Sequence, residues 1–418
     1  LSNMLTIQFG QCGNQLGHTL FSEISTDMEC VNTGVSYKTN YQYVEDTFNR
    51  WFSGISKSND RLARAILIDT EQKSWTYSTK NVICQAGGGC ANNWAFGYLV
   101  KGYELSDVIL NCIRQEIEKL DHFDGFLLLL SSAGGTGSGI GSYITKLLHE
   151  EYNKKPILNT TILPFSFGEV CTQNYNTLLT LAKLYNESCT SLLKKSSINL
   201  QDMNKVISEK LLATFQPVNY EKHNINSLLS QIACHPSYKI AIIKSTPHIP
   251  VTSTSYEPIY NWNSYIHHLK QTLRISNLNS QLTNVELKIP SNLLSNTIHH
   301  TYATSVSNVL ITRGTMLEQD LIMKNILKEK HLYANWNTID WFTHLHQNRK
   351  FLNHDKFLAL ITNNSQISYS LDIFLNKTWK SYIHSAFLHQ YKQFGLEEDD
   401  FLQAFSVLEN VVKEYKEL

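Results

Sequence analysis

The sequence predicts an α/β protein: a parallel sheet with helices on both faces, then a second α/β domain, then a helical C-terminal region. Apolar runs of strand length alternate with helical segments over the first 200 residues, the order that builds parallel βαβ units. Four of the intervening loops are glycine-rich or polar, and all follow strands, on the rim where such sheets bind ligands. From about residue 201 strands are separated by longer polar stretches, which marks a change of domain. The boundaries read as 1–200, 201–368 and 369–418.

Residues 4–9, "MLTIQF", read as a buried strand, and "GQCGNQLGHTLFSEI" turns through two glycines into a helix with Leu16, Leu20 and Ile24 on its apolar side. "RAILIDTEQ" is a further strand whose carboxyl end delivers Asp69 and Glu71, alternate residues that share a side if the chain stays extended. "GGGCANNWAFGY", residues 87–98, is a second glycine-rich loop. "GFLLLL" then empties into "SSAGGTGSGIGSY", residues 131–143, with five glycines in eight positions. "PILNTTILPFSFGEVCTQNYN" supplies another strand, a polar loop and a helix starting near Asn174.

The glycine run is read as an anion cradle rather than a plain tight turn, because each glycine adds backbone entropy that folding must remove. It is not a Walker A loop: Gly141 is followed by Ser142 and Tyr143, and the first lysine is Lys146. The dinucleotide fingerprint G-x-G-x-x-G fails in every register from Gly134 to Gly141. With four polar or glycine-rich loops on one rim, a phosphorylated ligand is the economical expectation.

"LQDMNKVISEKLLATF" reads as one helix, and "YKIAIIKS", "SNVLITRG" and "FLALITNN" as the strands of the second domain. Residues 371–418 read as helical, with "LDIFLNKTWKSYIHSAFLHQYKQ" stopping at Gly395, a C′ glycine. The acidic run 397–400 opens a last helix, where carboxylates oppose the positive end of the dipole, worth roughly 0.3–1 kcal/mol each. Phe401, Phe405, Leu408 and Val412 follow at helical spacing and are expected to pack on the body rather than hold a cofactor.

The 418 residues are 42% apolar, with 36 basic and 36 acidic side chains, so no net field draws the chain to nucleic acid or an anionic membrane. No apolar segment reaches bilayer length, and "LSNMLTIQFG" lacks the basic start and apolar core of a secretory signal, so an intracellular protein is expected. Eight cysteines without a C-x-x-C pair suit reduced thiols, and the histidines at 267–268, 299–300 and 344/346 show no ligand pattern and are expected at surfaces or interfaces.

In order and spacing, "GQCGNQLG", "ANNWAFGY" and "SAGGTGSGIGSY" resemble the tubulin family, and the resemblance extends along nearly the whole chain to the paired C-terminal helices. Within the family, "LPFSFGEVCTQNYNTLLTLAKLY" and "FLHQYKQFGLEEDDFLQAFSVLENVV" look most like the delta branch, whereas alpha and beta chains carry an acid–Pro–Tyr–Asn string where this chain has "QNYN". The resemblance implies a tubulin-like fold with GTP or GDP on the rim. Gly10, Gln11, Cys12 and Gln15 would line the first phosphate loop, Asn92 would approach the terminal phosphate, and Ser131 with Gly134, Gly135, Thr136 and Gly137 would wrap the diphosphate. Asp69 and Glu71 match the acidic pair that holds the Mg2+ shell, Gln173 stands where a ribose-binding acid is usual, and Asn204 matches an asparagine that reads the guanine edge.

Three departures from the family pattern bear on the ligand and its chemistry. The chain is short between Ser196 and Leu200; Ser196 stands for a second base-reading asparagine, and Leu200 for the tyrosine under the base, which packs but offers no π face. Ser227, in "NINSLLSQIACHP", stands where tubulins supply the acid that completes GTP hydrolysis on the next subunit, so no catalytic residue is assigned and no general base is expected. The stretch between Ile289 and Val309 is short where the lateral-contact loop lies in alpha and beta chains, and the chain ends at Leu418 without a long acidic tail.

As implied by the resemblance, the expected function is that of a GTP-binding cytoskeletal protein that builds or stabilises triplet microtubules of centrioles and basal bodies, with other tubulins, epsilon-tubulin among them, as partners. A nucleator or an accessory GTPase is the alternative within the family, and a self-contained GTPase or small-molecule enzyme is the alternative outside it.

Overall fold

A computed structural model of the chain describes residues 3–30, 35–56, 60–70, 77, 79–84, 89–164, 170–194, 200–218, 224–247, 261–274, 302–315, 326–337, 341–352 and 354–418. Strand β1 (Met4–Phe9) runs straight into α1 (Gly10–Glu29), which is followed by α2 (Tyr37–Trp51) and a hairpin of β2 (Phe52–Ile55) and β3 (Arg61–Ala63). Next come β4 (Ala65–Asp69), β5 (Val82–Cys84), α3 (Gly102–Glu118), β6 (Gly125–Ser131), α4 (Gly141–Glu151), β7 (Ile157–Leu163), α5 (Gln173–Glu187) and β8 (Cys189–Lys194). The second half holds α6 (Leu200–Phe215), α7 (Ile225–Ile232), β9 (Ile240–Thr246), α8 (Trp262–Thr272), β10 (Ser305–Gly314), β11 (Phe342–Gln347) and β12 (Lys356–Asn364). It ends with α9 (Gln366–Ile383), α10 (His389–Lys392) and α11 (Glu398–Glu417).

Ten strands form one sheet in the order β11-β10-β12-β9-β8-β7-β6-β1-β4-β5. From β5 to β9 all neighbours are parallel; β12 is antiparallel to both β9 and β10, and β11 is parallel to β10. The parallel part is buried on both faces, as its helical crossovers require. The run "FLLLL" shows how: Phe126, Leu128 and Leu130 face the cluster under α3 and α4, while Leu127 and Leu129 face the one under α1 and α6. Each such leucine, fully removed from water, contributes roughly 1.5–3 kcal/mol.

α5, α9 and α11 form an outer helical layer, with Phe401, Phe405, Leu408 and Val412 buried in one cluster with Tyr175, Leu178 and Trp94, as the expected stripe requires. The acidic run also behaves as expected, since Glu397 caps α11 and Asp400 bonds back to the Glu397 N–H at 2.9 Å. The single helix read through 371–393 is instead broken after Ile383, where Ser385 and Phe387 take positive φ before the short α10. His344 and His346 lie on edge strand β11 and bracket the Thr312 hydroxyl at 2.9 and 2.8 Å. Among the described residues no helix is long and apolar enough to cross a membrane.

Candidate functional site

Strand order reverses between β1 and β6: the connection from β1 leads towards β4, and that from β6 leads to β7. Open α/β sheets bind ligands at the carboxyl ends of strands on either side of such a reversal. Gly10 makes the β1 exit possible. Its φ of +66° turns the chain directly into α1, and an added Cβ would sit 3.1 Å from the Gly137 nitrogen, so the first turn of α1 abuts the glycine run. No acidic residue occupies the first turn of α1, α4 or α5, so the positive ends of these helices are uncompensated by their own side chains.

The glycine run is less of a loop than its composition suggests. After Gly135 it enters a π-helical turn, Thr136–Ile140, continuous with α4. Gly135 meets the backbone of the asparagine loop, where a Cβ would lie 2.6 Å from the Cys90 oxygen and 2.7 Å from the Asn93 nitrogen. Gly134 is different: the nearest atom to an added Cβ is Asn92 Oδ1 at 3.8 Å. Packing of the chain therefore demands glycine at 135 and leaves open space at 134, the arrangement a phosphate needs beside backbone N–H groups.

The expected site residues gather around this opening. Gln11 is exposed and Cys12 and Gln15 half-buried in the first turns of α1. Asn92 is exposed at φ +51°, and its carbonyl accepts from Thr172 Oγ1 at 3.0 Å. Ser131 ends β6, and its hydroxyl accepts from the Ala133 N–H at 3.3 Å. Thr136 Oγ1 lies 2.9 Å from Thr70 Oγ1, and both hydroxyls bond to the Cys90 sulfur; burial outweighs them and raises the Cys90 pKa, so this thiol is no nucleophile. Gln173 is buried in the first turn of α5, and Asn204 is buried near the start of α6. Leu200 opens α6 about half exposed. Glu71 and Ser196 lie outside the described residues, as does most of the Ile289–Val309 stretch.

Asp69 is buried at the end of β4, its Oδ1 accepting from the Thr70 N–H at 2.9 Å and its Oδ2 from Asn14 Nδ2 at 3.1 Å. Asn14 is fully buried and its Oδ1 has no hydrogen-bond partner, an acceptor suited to a donating water of a hydrated cation. Among the described residues no three His, Cys, Asp or Glu side chains cluster as a metal cage. That fits magnesium, which rests on one or two carboxylates, phosphate oxygens and waters.

Asn14, Thr70, Asn176 and Tyr391 join this neighbourhood without having been singled out from the sequence. Asn176 lies within the quoted "QNYN", and an asparagine inside a helix start is a signal in itself, since its amide competes with the backbone for hydrogen bonds.

Fold and rim together define a nucleotide-binding α/β protein whose phosphate loops meet at the sheet's reversal point. The model described as "Tubulin/FtsZ family, GTPase domain" matches residues 3–198. The chain is 32% identical to a tubulin delta chain of Canis lupus familiaris and 31% identical to that of Homo sapiens, in each case over 99% of this chain and 99% of the relative. A tubulin gamma chain of Saccharomyces cerevisiae is 26% identical over 99% of this chain and 92% of the relative. The chain belongs to the tubulin family and, with its greater likeness to the delta chains, is a tubulin-like GTP-binding cytoskeletal protein.

Proposed function

We propose that this chain acts as a delta-type tubulin: it binds GTP or GDP on the β1/β6 rim and contributes to the assembly or stability of centriole and basal-body triplet microtubules. The observation that carries the nucleotide half is the open space at Gly134, walled by Asn92 and the first turn of α1 while Gly135 is packed shut. Gln11, Cys12 and Gln15 would flank the first phosphates, Ser131 and Gly134 to Gly137 would offer backbone N–H groups, and Asn92 would reach the terminal phosphate. Gln173 would bond the ribose through its amide, and Asn204 would face the guanine edge. When bound, Mg2+ would neutralise phosphate charge, with Asp69 and Glu71 holding its water shell.

Nucleotide-dependent head-to-tail association with other tubulins, epsilon-tubulin among them, is the proposed use of the site. Ser227 has a local task instead of a catalytic one: it forms a capping box with Asn224, each bonding the other's N–H, at 2.8 and 3.3 Å. A chain built this way is proposed to complete an interface without serving as general base for a neighbour. Its proposed locations are the cytoplasm, the cytoskeleton, and within it the centriole and basal body.

The test is to purify the native chain, identify any copurified nucleotide, and measure rebinding of GTP and GDP with and without magnesium. Absence of guanine nucleotide, together with failure to rebind it, overturns the nucleotide reading. Normal basal-body triplets after loss of the gene overturn the cellular one.

A further inference from the structure

Asn176 occupies the first turn of α5 and is fully buried. Its Nδ2 donates to the carbonyls of Asn92 and Ala133, both at 2.8 Å, and its Oδ1 accepts from the Trp94 N–H at 2.9 Å and the Tyr391 hydroxyl at 2.6 Å. The two carbonyls on one side and the backbone N–H on the other leave the amide a single orientation, with all four of its hydrogen bonds made. Two of these partners belong to the segments on either side of the opening at Gly134. The fourth comes from the C-terminal helical layer, 215 residues away.

That layer grips the same loop at two more points. Asn93 Nδ2 donates to the Gln390 carbonyl at 2.8 Å, and the rings of Phe96 and Phe394 lie 4.8 Å apart. Tyr391 is itself fully buried, with its ring against Tyr175 and Phe401 at 5.7 and 5.5 Å, so ring and hydroxyl have separable roles. The ring packs the layer; the hydroxyl reaches through it to Asn176.

We propose that Asn176 and Tyr391 are positioning residues for the terminal phosphate of the bound nucleotide. Tyr391 holds the Asn176 amide, the amide holds the Asn92 loop against the glycine run, and the outer helical layer is thereby coupled to phosphate occupancy. The inference rests on the nucleotide-binding reading above. Coupling is reciprocal, so a ligand that orders the Asn92 loop also stiffens the segment around Tyr391. A diphosphate, which lacks the group nearest Asn92, engages the coupling less than a triphosphate.

The experiment compares the full-length native chain with Tyr391→Phe, using GDP and a non-hydrolysable GTP analogue with magnesium. Tyr391→Phe keeps the ring and removes the hydroxyl. Its expected result is a loss of about fivefold or more in affinity for the analogue and less than about twofold for GDP. In the native chain, backbone hydrogen exchange over residues 388–396 is expected to slow on adding the analogue more than on adding GDP, a response that Tyr391→Phe loses. Equal losses for both ligands, or native exchange over 388–396 that ignores the analogue, overturn the coupling while leaving nucleotide binding intact. A native chain that binds neither ligand overturns the coupling and the function together.

Discussion

Arg349 and Asp27 form an ion pair at 3.0 Å with side-chain exposures of 1% and 0%, joining the loop before β12 to the last turn of α1. The carboxylate also accepts from the Tyr43 hydroxyl at 2.7 Å, Gln216 Nε2 at 3.0 Å and the Leu352 N–H at 3.2 Å. The guanidinium bonds Asn40 Oδ1 at 2.9 Å and the carbonyls of Asp27 and Cys30 at 2.5 and 3.0 Å. Beside it, the fully buried Arg313 bonds the carbonyls of Ala213, Gln216 and Pro217 at the carboxyl end of α6, satisfying acceptors that the helix leaves open. The helix that starts under Asn204 and the helix that starts at the phosphate loop therefore end in one buried network.

Removing one member of a buried pair strands the other charge without its partner. Arg349→Met is expected to destabilise the fold by about 3–5 kcal/mol, read as a lowered urea midpoint. Asp27→Asn added to Arg349→Met is expected to recover part of that loss, because the second change removes the stranded charge. Equal stability of Arg349→Met and the native chain would contradict this account of the network.

Acid weakens the fold through His354. Burial lowers its pKa from the ordinary 6.5 to about 4, with Asp355 opposing the shift, and the side chain sits against Phe357. The unfolded chain takes up a proton near pH 6.5 that the folded chain refuses until near pH 4. Its contribution is therefore whole above about pH 6.5 and declines as pH falls towards 4. It levels off below that, with a total of up to about 3 kcal/mol. Replacing His354 with Gln is expected to flatten the pH dependence of the urea midpoint across that window, and an unchanged slope would show that other groups carry it.

How much of this was legible in the sequence varied with the range of the forces involved. Helix α6 matches "LQDMNKVISEKLLATF" residue for residue, because its apolar period is local. Strands β5, "VIC", and β8, "CTSLLK", are too short or too mixed to show a period, and only their neighbours in the sheet make them strands. The glycine runs announced the phosphate rim but concealed their own geometry: α1 begins at Gly10 itself, and the run from Thr136 is helical because its backbone packs closely on the asparagine loop. The break after Ile383 lacks a glycine or proline to mark it, and positive φ falls on Ser385 and Phe387. Asn176 could be quoted but not interpreted, since three of its partners lie 43 to 215 residues away.

The adjacent glycines 134 and 135 separate folding from binding. Gly135→Ala would drive a Cβ to 2.6 Å from the Cys90 oxygen, a clash with backbone, and is expected to lower the melting temperature of the nucleotide-free chain. Gly134→Ala meets nothing closer than 3.8 Å and is expected to leave that temperature within a degree or two while weakening GTP and GDP by about tenfold or more. Thermal melts paired with titrations decide the matter, and Gly134→Ala with native affinity would remove the phosphates from this opening.

Ser227 offers the sharpest test of the missing general base. It is the third residue of α7 and half-buried, with its hydroxyl bonded to the Asn224 N–H. A glutamate at that position of a helix makes the same reach back to the cap, and its charge suits the positive helix end by roughly 0.3–1 kcal/mol. Ser227→Glu is therefore expected to fold with native stability and to present a carboxylate where the chain now has a hydroxyl. In a mixed assembly with a partner tubulin, turnover of the partner's GTP is expected to rise by about 10²-fold or more with Ser227→Glu. Ser227→Ala should leave it at the low native level. Turnover that is high with the native chain and stops with Ser227→Ala would make the serine itself part of the chemistry.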